Sequence, residues 1–270
     1  KPMTKYLFNF VLIIITIYFL ILVFTYFYQR NLLYYPSANN FSDHKINFNY
    51  EEIFIRTNDG YDLKGWFHEK DKIKKKTLVF FHGNAGDLNN RIYKLNELKN
   101  FDINILIVAY RGFSGNKGKP TEQGLYEDAK STLNWLKEHA VKEEQIIIYG
   151  ESLGTGVSVE VTQHKNFAGI VLESPFTSMI DTGKFYYPYL PVSLLLKDKY
   201  ETLKKLKNIN IPILVMHGKK DKIIPFHMGK KIYDSAKEPK FFYFSQEDDH
   251  MMEFNERMFK NLQSFINQLS

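Results

Sequence analysis

One serine of this chain stands in a pattern that could make it a nucleophile. Gly150-Glu151-Ser152-Leu153-Gly154 matches G-x-S-x-G. An apolar run precedes the motif and a helix-like run to His164 follows it, which predicts a strand, a sharp turn and a helix. Such a turn lifts the serine oxygen clear of the sheet, and glycines permit the crowded backbone. Because the pattern is short, a glycine-rich turn without a catalytic serine is the alternative.

Two later residues could complete the chemistry of this serine, which needs a base to take its proton. In an open α/β sheet, functional side chains lie at the carboxyl ends of strands. Asp221 follows the predicted strand ILVMHG, and His250 follows FFYFS. The order serine, acid, histidine is the one expected for hydrolases built on such a sheet. We therefore expect His250 to be the base and Asp221 to orient its ring and stabilise the imidazolium.

The other seven histidines fit other roles. His217 and His82 each precede a glycine at a strand end, where we expect a structural role, and His227 falls in a predicted helix just after Pro225. The rest are expected at the surface, in a linker, at a hairpin edge or in helices: His44, His68, His139 and His164.

Attack on an acyl carbon also requires backbone N–H groups that point at the developing oxyanion. The N–H of Leu153, directly after the serine, is one expected donor. The second is expected in FFHGNAGD, residues 80–87, where we choose the N–H of Asn84. The glycines of this loop do not form a phosphate-binding P-loop pattern. The segment that comes nearest to one, GFSGNKGKP at 112–120, has the wrong spacing and a proline where Ser or Thr would bind magnesium.

These residues need a sheet to bring them together, and the chain predicts one. YEEIFIRT and YDLKGWFHE flank Asn58-Asp59-Gly60 and read as a hairpin. Later runs are continuously apolar, as in strands buried on both faces, and alternate with helical patterns. The prediction is α/β: one domain of roughly 220 residues with a mostly parallel central β-sheet and flanking helices. The later strands are expected at 77–82, 103–110, 145–150, 168–174, 211–218 and 240–245.

The helices on this sheet should each bury one apolar face. Two faces have helical spacing: Leu125, Ala129, Leu133 and Leu136 on one, and Phe254, Met258, Leu262 and Phe265 on the other.

Residues 6–28 form an uncharged apolar run, and about 20 such residues suffice to cross a bilayer as a helix. The run ends in aromatic residues, Gln29 and Arg30, and has no small-residue cleavage site. We expect a retained N-terminal transmembrane anchor at 1–30, a polar linker at 31–45 and a catalytic domain at 46–270.

The prediction of the side of the membrane on which the catalytic domain lies depends on charge alone. Lys1, Lys5 and the amino terminus precede the apolar run, and Arg30 and Lys45 follow it. This slight bias favours a cytoplasmic N-terminus and a non-cytoplasmic catalytic domain.

Residues 176–201 interrupt the alternation of strands and helices and contain Pro188 and Pro191. A short cap over a pocket and an irregular helix packed on the sheet both fit this segment. Its aromatic stretch could receive an acyl chain at the membrane surface: Phe185, Tyr186, Tyr187, Tyr189 and Leu190.

Composition narrows the partners. The net charge is +6, but lysines and arginines are scattered, and the densest run, KDKIKKK at 70–76, reads as a solvated loop. We therefore expect no nucleic-acid partner. The chain has no cysteine, which excludes disulfides, thiolate metal sites and a cysteine nucleophile.

Five motifs in order, HGNAG, YRGFSGNKGKPTEQGLYEDA, GESLGTG, ESPFTS and HGKKDKIIP, resemble the α/β-hydrolase superfamily. More narrowly, they resemble its membrane-anchored α/β-hydrolase domain-containing serine hydrolases, often classed with the S33 serine-aminopeptidase-like fold. The resemblance covers the chain from about residue 46 to its end. It implies Ser152 as nucleophile, Asp221 as acid, His250 as base, and Asn84 and Leu153 as oxyanion donors.

The chain departs from this family just before His250. Relatives usually have a glycine there, whereas this chain has Glu247, Asp248 and Asp249. Solvated carboxylates and a metal site are the two interpretations of this acidic loop.

The sequence thus predicts a membrane-anchored serine hydrolase that cleaves carboxylic esters or thioesters, including lipid-like acyl substrates, through an acyl-enzyme on Ser152. We expect no cofactor and no metal. The same triad could cleave amides or transfer acyl groups, because a fold does not fix a substrate. A non-catalytic scaffold is the third alternative, although a binding module has no need of all three triad residues.

Overall fold

The structure, a computed structural model, describes residues 2–37 and 45–269. His44 and most of the second half of the predicted linker lie outside the described residues. The strands in the described part are β1 (Tyr35–Pro36), β2 (Glu51–Arg56), β3 (Asp62–His68), β4 (Thr77–Phe81), β5 (Ala85–Gly86), β6 (Asn104–Val108), β7 (Ile146–Glu151), β8 (Gly169–Glu173), β9 (Ile213–Gly218) and β10 (Lys240–Ser245). The α-helices there are α1 (Pro2–Leu33), α2 (Ile92–Leu98), α3 (Glu122–Glu138), α4 (Leu153–Thr162), α5 (Met179–Tyr186), α6 (Val192–Leu195), α7 (Thr202–Leu206), α8 (Phe226–Ser235) and α9 (Glu256–Gln268).

The central sheet is mostly parallel, which confirms the predicted fold class. Its strand order within the described residues is β10-β9-β8-β7-β4-β6-β3-β2. The predicted hairpin is present: β2 and β3 pair antiparallel, with Glu51 opposite Phe67 and Arg56 opposite Asp62. β3 also runs antiparallel to β6, and the other neighbours are parallel. β7 lies between β4 and β8, so the turn that carries Ser152 begins near the middle of the sheet.

The core forms where the continuous apolar runs lie between two layers of helices. Every residue of β4, β6, β7, β8 and β9 is buried. The predicted helical faces pack against them, with Leu125, Ala129 and Leu136 of α3 fully buried. α9 begins two residues after Phe254, because the side chain of Asn255 accepts from the N–H groups of Arg257 and Met258 and caps the helix there.

α1 extends three residues past the predicted anchor boundary at residue 30, because Leu32 and Leu33 continue the apolar helical run. Its apolar side chains are exposed along most of its length. By length and composition, Met3–Leu33 is a candidate membrane span, suited to an anchor or to a signal sequence. The residues directly after it do not behave as a free linker, since β1 pairs in parallel with β5.

The predicted cap segment, 176–201, contains α5 and α6 and packs against the end of α1. Arg30 binds Asp198 through two hydrogen bonds of 2.8 and 3.1 Å. The Gln29 side chain donates to the Leu195 carbonyl at 3.0 Å and accepts from the Lys197 N–H at 2.7 Å. The candidate membrane helix and the cap are therefore one packed unit.

Candidate active site

Ser152 sits in the turn between β7 and α4 with φ 52° and ψ −117°. A non-glycine residue at positive φ is strained and needs support from its surroundings. The Ser152 N–H donates to the Glu173 carbonyl at 2.8 Å, and the Thr155 hydroxyl donates to the Ser152 carbonyl at 2.6 Å. Only glycine fits at position 154, where an added Cβ would lie 2.0 Å from the Phe81 carbonyl oxygen. This is the geometry of a nucleophile elbow.

The structure brings Ser152 together with the two residues predicted to be its partners. His250 Nε2 lies 2.9 Å from Ser152 Oγ, and His250 Nδ1 lies 2.8 Å from Asp221 Oδ2. Both distances are within the reach required of a nucleophile, a base and an orienting acid. The Asp221 side chain is fully buried.

Asp221 accepts from three donors and contacts a fourth nitrogen, that of His217. Its Oδ1 accepts from the N–H groups of Ile223 and Ile224, both at 2.8 Å, and its Oδ2 faces both His250 and His217. Burial raises the pKa of Asp221, but the hydrogen bonds to His217 and His250 outweigh it, so the pKa lies below its ordinary value. The carboxyl group is therefore ionised throughout the neutral pH range.

His217 is a contact of the acid that the sequence reasoning did not foresee. Its Nε2 lies 3.2 Å from Asp221 Oδ2 and 2.9 Å from the Ile224 carbonyl oxygen. Its Nδ1 has no hydrogen-bond partner in the described residues and packs against Gly229, where an added Cβ would lie 2.1 Å away. The sequence signal for this contact was the four-residue spacing in HGKKD, because a tight turn between His217 and Asp221 places the two side chains next to each other.

The two expected oxyanion donors belong to the turn that carries Ser152 and to the loop after β4, whose Gly83 lies so near that an added Cβ would be 3.5 Å from Ser152 Cβ. The N–H of Leu153 opens α4, and the N–H of Asn84 lies in the loop between β4 and β5. Within residues 2–37 and 45–269 neither N–H donates to a protein acceptor, so both are available to a ligand oxygen. The preceding N–H, of Gly83, is already used: it donates to Glu151 Oε1 at 3.1 Å.

The backbone that follows α1 holds residues 82–84, the loop between β4 and β5 that carries Asn84, which we call the oxyanion loop. The Asn84 side chain donates to the Leu33 carbonyl at 2.6 Å, and the Asn84 carbonyl accepts from the Tyr35 N–H at 2.8 Å. One step on, the Ser37 N–H donates to the Gly86 carbonyl at 2.9 Å. The end of the candidate membrane helix therefore helps to set the position of a proposed oxyanion donor.

His82, at the start of the same loop, has the structural role expected from the sequence. Its Nε2 accepts from the Tyr110 N–H at 3.3 Å, which leaves Nδ1 as the donor to the Gly83 carbonyl at 2.7 Å. Burial and the nearby Arg91 lower the pKa of His82 to about 3, so the ring is neutral and unsuited to act as a base at neutral pH.

A buried ionic cluster lies beneath the serine turn and the oxyanion loop. Lys94 Nζ lies 2.6 Å from both Glu151 Oε2 and Glu173 Oε1, and Arg91 Nη2 lies 2.7 Å from Glu151 Oε1. The Tyr149 hydroxyl donates to Glu173 at 2.5 Å. Glu151 precedes the serine and Glu173 supplies the carbonyl that holds the serine N–H, so the cluster positions the elbow.

Burial and charge pull the two carboxyl groups of this cluster in opposite directions. Burial raises the pKa of Glu151, but the charges of Arg91 and Lys94 outweigh it and bring that pKa below its ordinary value. The pKa of Glu173 is raised, because burial and the charge on Glu151 together outweigh the opposing effect of Lys94.

The acidic loop before His250 divides into exposed and buried groups. Glu247 is exposed and pairs with Lys220, and the exposed Asp249 accepts from the Met251 N–H at 3.0 Å. Asp248 is buried, and its carbonyl lies so close to Gly218 that an added Cβ there would be 2.3 Å away. No group of three or more potential metal ligands is found in the described residues.

The chain is similar to known proteins over most of its length. The Prolyl oligopeptidase family model matches residues 102–267, more than half of the chain. The uncharacterised protein Rv2307c of Mycobacterium tuberculosis is 35% identical over 224 residues, 82% of this chain and 79% of that protein. The α/β-hydrolase domain-containing protein WAV2 of Arabidopsis thaliana is 26% identical over 234 residues, 77% of this chain and 76% of that protein.

Among solved structures, the Pyrococcus furiosus esterase Pf2001 has a similar fold. It superposes with a TM-score of 0.70 at 19% identity and covers 88% of this chain and 99% of that one. With the mostly parallel sheet and the nucleophile elbow, these similarities establish the superfamily. The chain belongs to the prolyl oligopeptidase family of α/β-hydrolases.

Proposed function

We propose that the protein is a serine hydrolase that cleaves carboxylic esters or thioesters through an acyl-enzyme on Ser152. The observation that carries the proposal is the continuous hydrogen-bonded chain from Ser152 Oγ through His250 to Asp221 on a nucleophile elbow. A structural neighbour described as an esterase supports the ester class.

The first half of the reaction forms the acyl-enzyme. His250 Nε2 takes the proton of Ser152 Oγ as that oxygen attacks the acyl carbon, and the N–H groups of Leu153 and Asn84 donate to the resulting oxyanion. His250 then gives the proton to the leaving alkoxide or thiolate as its bond to the acyl carbon breaks. Asp221 stabilises the imidazolium between these transfers.

The second half repeats these steps with water. His250 takes a proton from the attacking water, the tetrahedral intermediate collapses, and the proton returns to Ser152 Oγ as the carboxylic acid leaves. This cycle uses only groups of the protein, the substrate and water.

The domain arrangement is part of the proposal. Residues 1–30 are a retained transmembrane anchor, and 46–270 form the catalytic domain, with 176–201 as its cap. The lysines before the apolar run favour a non-cytoplasmic catalytic domain. A reporter fused to the C-terminus should then be active outside the cytoplasm, and activity in the cytoplasm alone would overturn this orientation.

Ester hydrolysis by the full chain in detergent micelles tests the proposal. Wild type should hydrolyse p-nitrophenyl butyrate, and Ser152→Ala should lose at least about 10³-fold in kcat, as expected when a triad is broken. Ser193→Ala, at an exposed serine of the cap, is the matched control and should retain full activity. Wild-type activity in Ser152→Ala would reject the assignment.

Amide or peptide cleavage by the same triad is the second candidate, because the family model that matches is named for oligopeptidases. It predicts that prolyl-peptide p-nitroanilides are cleaved with a kcat/KM comparable to that for the butyrate ester. A preference of more than about 10²-fold for the ester would favour the first candidate.

A further inference from the structure

A cavity of about 210 Å³ lies between the candidate membrane helix and the cap, outside the triad itself. It is smaller than the pockets that hold drug-sized ligands, which are about 300–1,000 Å³, and so suits a narrow ligand. α1 supplies one wall, with Thr25, Gln29, Leu32 and Leu33. The cap supplies the other: Met179, Thr182, Gly183, Tyr186, Tyr187, Leu190, Val192, Leu195 and Leu196.

The lining is largely aliphatic, and several of its polar groups are already used within the protein. The Gln29 amide binds the backbone of Leu195 and Lys197. The Thr182 hydroxyl donates to the Ser178 carbonyl at 3.0 Å. A polar ligand would therefore lose its hydration without finding these partners free, whereas an apolar ligand loses nothing.

The cavity is connected to the catalytic loops through both of its walls. On the α1 side, the Leu33 carbonyl accepts from Asn84 of the oxyanion loop. On the cap side, the Tyr186 hydroxyl bonds the carbonyls of Lys222 and Ile223, directly after the triad acid Asp221. Residues that line the cavity thus bond directly to the loop of Asn84 and to the residues after Asp221.

The α1 wall also indicates the route by which a ligand would enter the cavity. Most apolar side chains of α1 are exposed, and the helix is long enough to span a bilayer. The Arg30–Asp198 ion pair fixes the helix to the cap, and Lys197 Nζ lies 4.1 Å from the centre of the Tyr26 ring. If α1 spans a bilayer, these contacts keep the cap and the cavity beside the segment of α1 that leaves it.

We propose that this cavity binds the single unbranched acyl chain of a membrane-derived ester or thioester, which enters laterally from the bilayer between α1 and the cap. The inference rests on the proposed function of Ser152, and it adds that the anchor is part of the substrate site. It refines the expectation for the cap: of its aromatic stretch, Tyr186, Tyr187 and Leu190 line the cavity, whereas Phe185 and Tyr189 do not.

The test compares chain lengths in the full-length protein, reconstituted in phosphatidylcholine nanodiscs. The probes are p-nitrophenyl butyrate and p-nitrophenyl palmitate. Leu190→Trp fills the cavity and should lower kcat/KM for palmitate by at least about tenfold, which corresponds to losing the burial of about two methylene groups. Butyrate hydrolysis should change less than twofold. Leu194→Trp is the matched control, since Leu194 is 85% exposed on the same cap and does not line the cavity.

A second variant keeps the proposal testable if Leu190→Trp folds poorly. Thr25→Trp fills the cavity from the α1 wall and should reproduce the selective loss of palmitate hydrolysis. Thr16→Trp, about two and a half turns away on an exposed stretch of the same helix, should not. Equal losses for both esters, or no loss in either cavity variant, would overturn the proposal.

A binding measurement separates the cavity from the catalytic assignment. In Ser152→Ala, a diazirine-bearing palmitic acid should crosslink to peptides that contain residues 25–33 or 179–196, and Leu190→Trp should abolish that labelling. Crosslinking elsewhere would overturn the cavity even if Ser152 proves to be the nucleophile. Conversely, wild-type hydrolysis by Ser152→Ala would reject the nucleophile and leave the crosslinking result to decide the cavity.

Discussion

Lys94→Met removes the ammonium group that Glu151 and Glu173 share beneath the serine turn. Lys94 is fully buried, and both of its ion pairs measure 2.6 Å. Methionine has a similar length and keeps most of the packing, so the change isolates the charge. Glu151 keeps Arg91, at 2.7 Å, whereas Glu173 keeps only the Tyr149 hydroxyl, at 2.5 Å, among the side chains of residues 2–37 and 45–269. The cost therefore falls mainly on Glu173.

Leaving one member of a buried ion pair without its partner costs about 3–5 kcal/mol of folding free energy. We expect Lys94→Met to fall in this range, because Glu173 has no exposed surface through which water could replace the lysine. Part of the cost should be avoided by protonation: the pKa of Glu173 is already raised by burial, and loss of the lysine raises it further.

Protonation gives the variant a distinctive pH dependence. A carboxyl with a raised folded-state pKa binds its proton more tightly when folded than when unfolded, so stability falls as pH rises between the unfolded value, about 4.3, and the folded one. Relative to wild type, Lys94→Met should therefore gain stability as pH falls from 8 to 5, by at most about 1.4 kcal/mol per pH unit.

Urea unfolding in detergent micelles, followed by the fluorescence of Trp66 and Trp135, measures these quantities. Lys137→Met, at an exposed lysine of α3, is the control and should match wild type. The double variant Lys94→Met/Glu173→Gln should recover most of the loss, because the amide carries no charge. A loss below about 1 kcal/mol, the value of a surface pair, or a double variant no more stable than the single one would show that Lys94 does not neutralise Glu173 in the folded protein.

Three further predictions concern the groups around the triad. His217→Leu removes the imidazole whose Nε2 contacts Asp221 Oδ2 at 3.2 Å, a contact worth about 0.5–1.5 kcal/mol, so kcat should fall by up to about tenfold with little change in KM. The pKa of Asp221 should rise in His217→Leu, so the loss of activity at acidic pH should begin at a higher pH. His217→Gln, which retains an N–H donor, should restore part of the kcat and part of the pH profile. An unchanged pH profile would exclude the positioning role. Asn84→Asp sets a carboxylate against the Leu33 carbonyl and should lower kcat for p-nitrophenyl butyrate about tenfold more than Asn134→Asp does, at an exposed asparagine of α3. Equal effects would separate the post-anchor segment from the oxyanion loop. Gly154→Ala places a Cβ against the Phe81 carbonyl and should destabilise the fold by about 3 kcal/mol in the urea assay, and a wild-type midpoint would show that the elbow can relax.

The sheet and the meeting of Ser152, Asp221 and His250 could be predicted because each depends on a local signal. Continuous apolar runs marked the buried strands, and the ends of β7, β9 and β10 marked where functional side chains would meet. Ser152 and His250 are 98 positions apart, yet strand topology alone brings them to one edge.

The parts that could not be predicted depend on contacts without a local signal. β1 has only two residues, which is too short for a strand pattern, so its pairing with β5 could not be predicted from a segment with the composition of a polar linker. The cavity forms only because α1 packs against the cap, as in the hydrogen bond between Gln29 and Leu195, which are 166 positions apart. No sequence motif marks the side chains that make this contact. His217 resembled a structural strand-end histidine, because its contact with Asp221 depends on the turn that the intervening Gly-Lys-Lys forms.

The central claim is that Ser152 is the nucleophile, and the most direct test is to find where a covalent probe attaches. Full-length protein in detergent micelles is treated with a fluorophosphonate, digested and mapped by tandem mass spectrometry. We expect a single adduct on Ser152 that is lost in Ser152→Ala and strongly reduced in His250→Ala, because His250 must take the serine proton. An adduct at another residue, or undiminished labelling of Ser152→Ala, would contradict it.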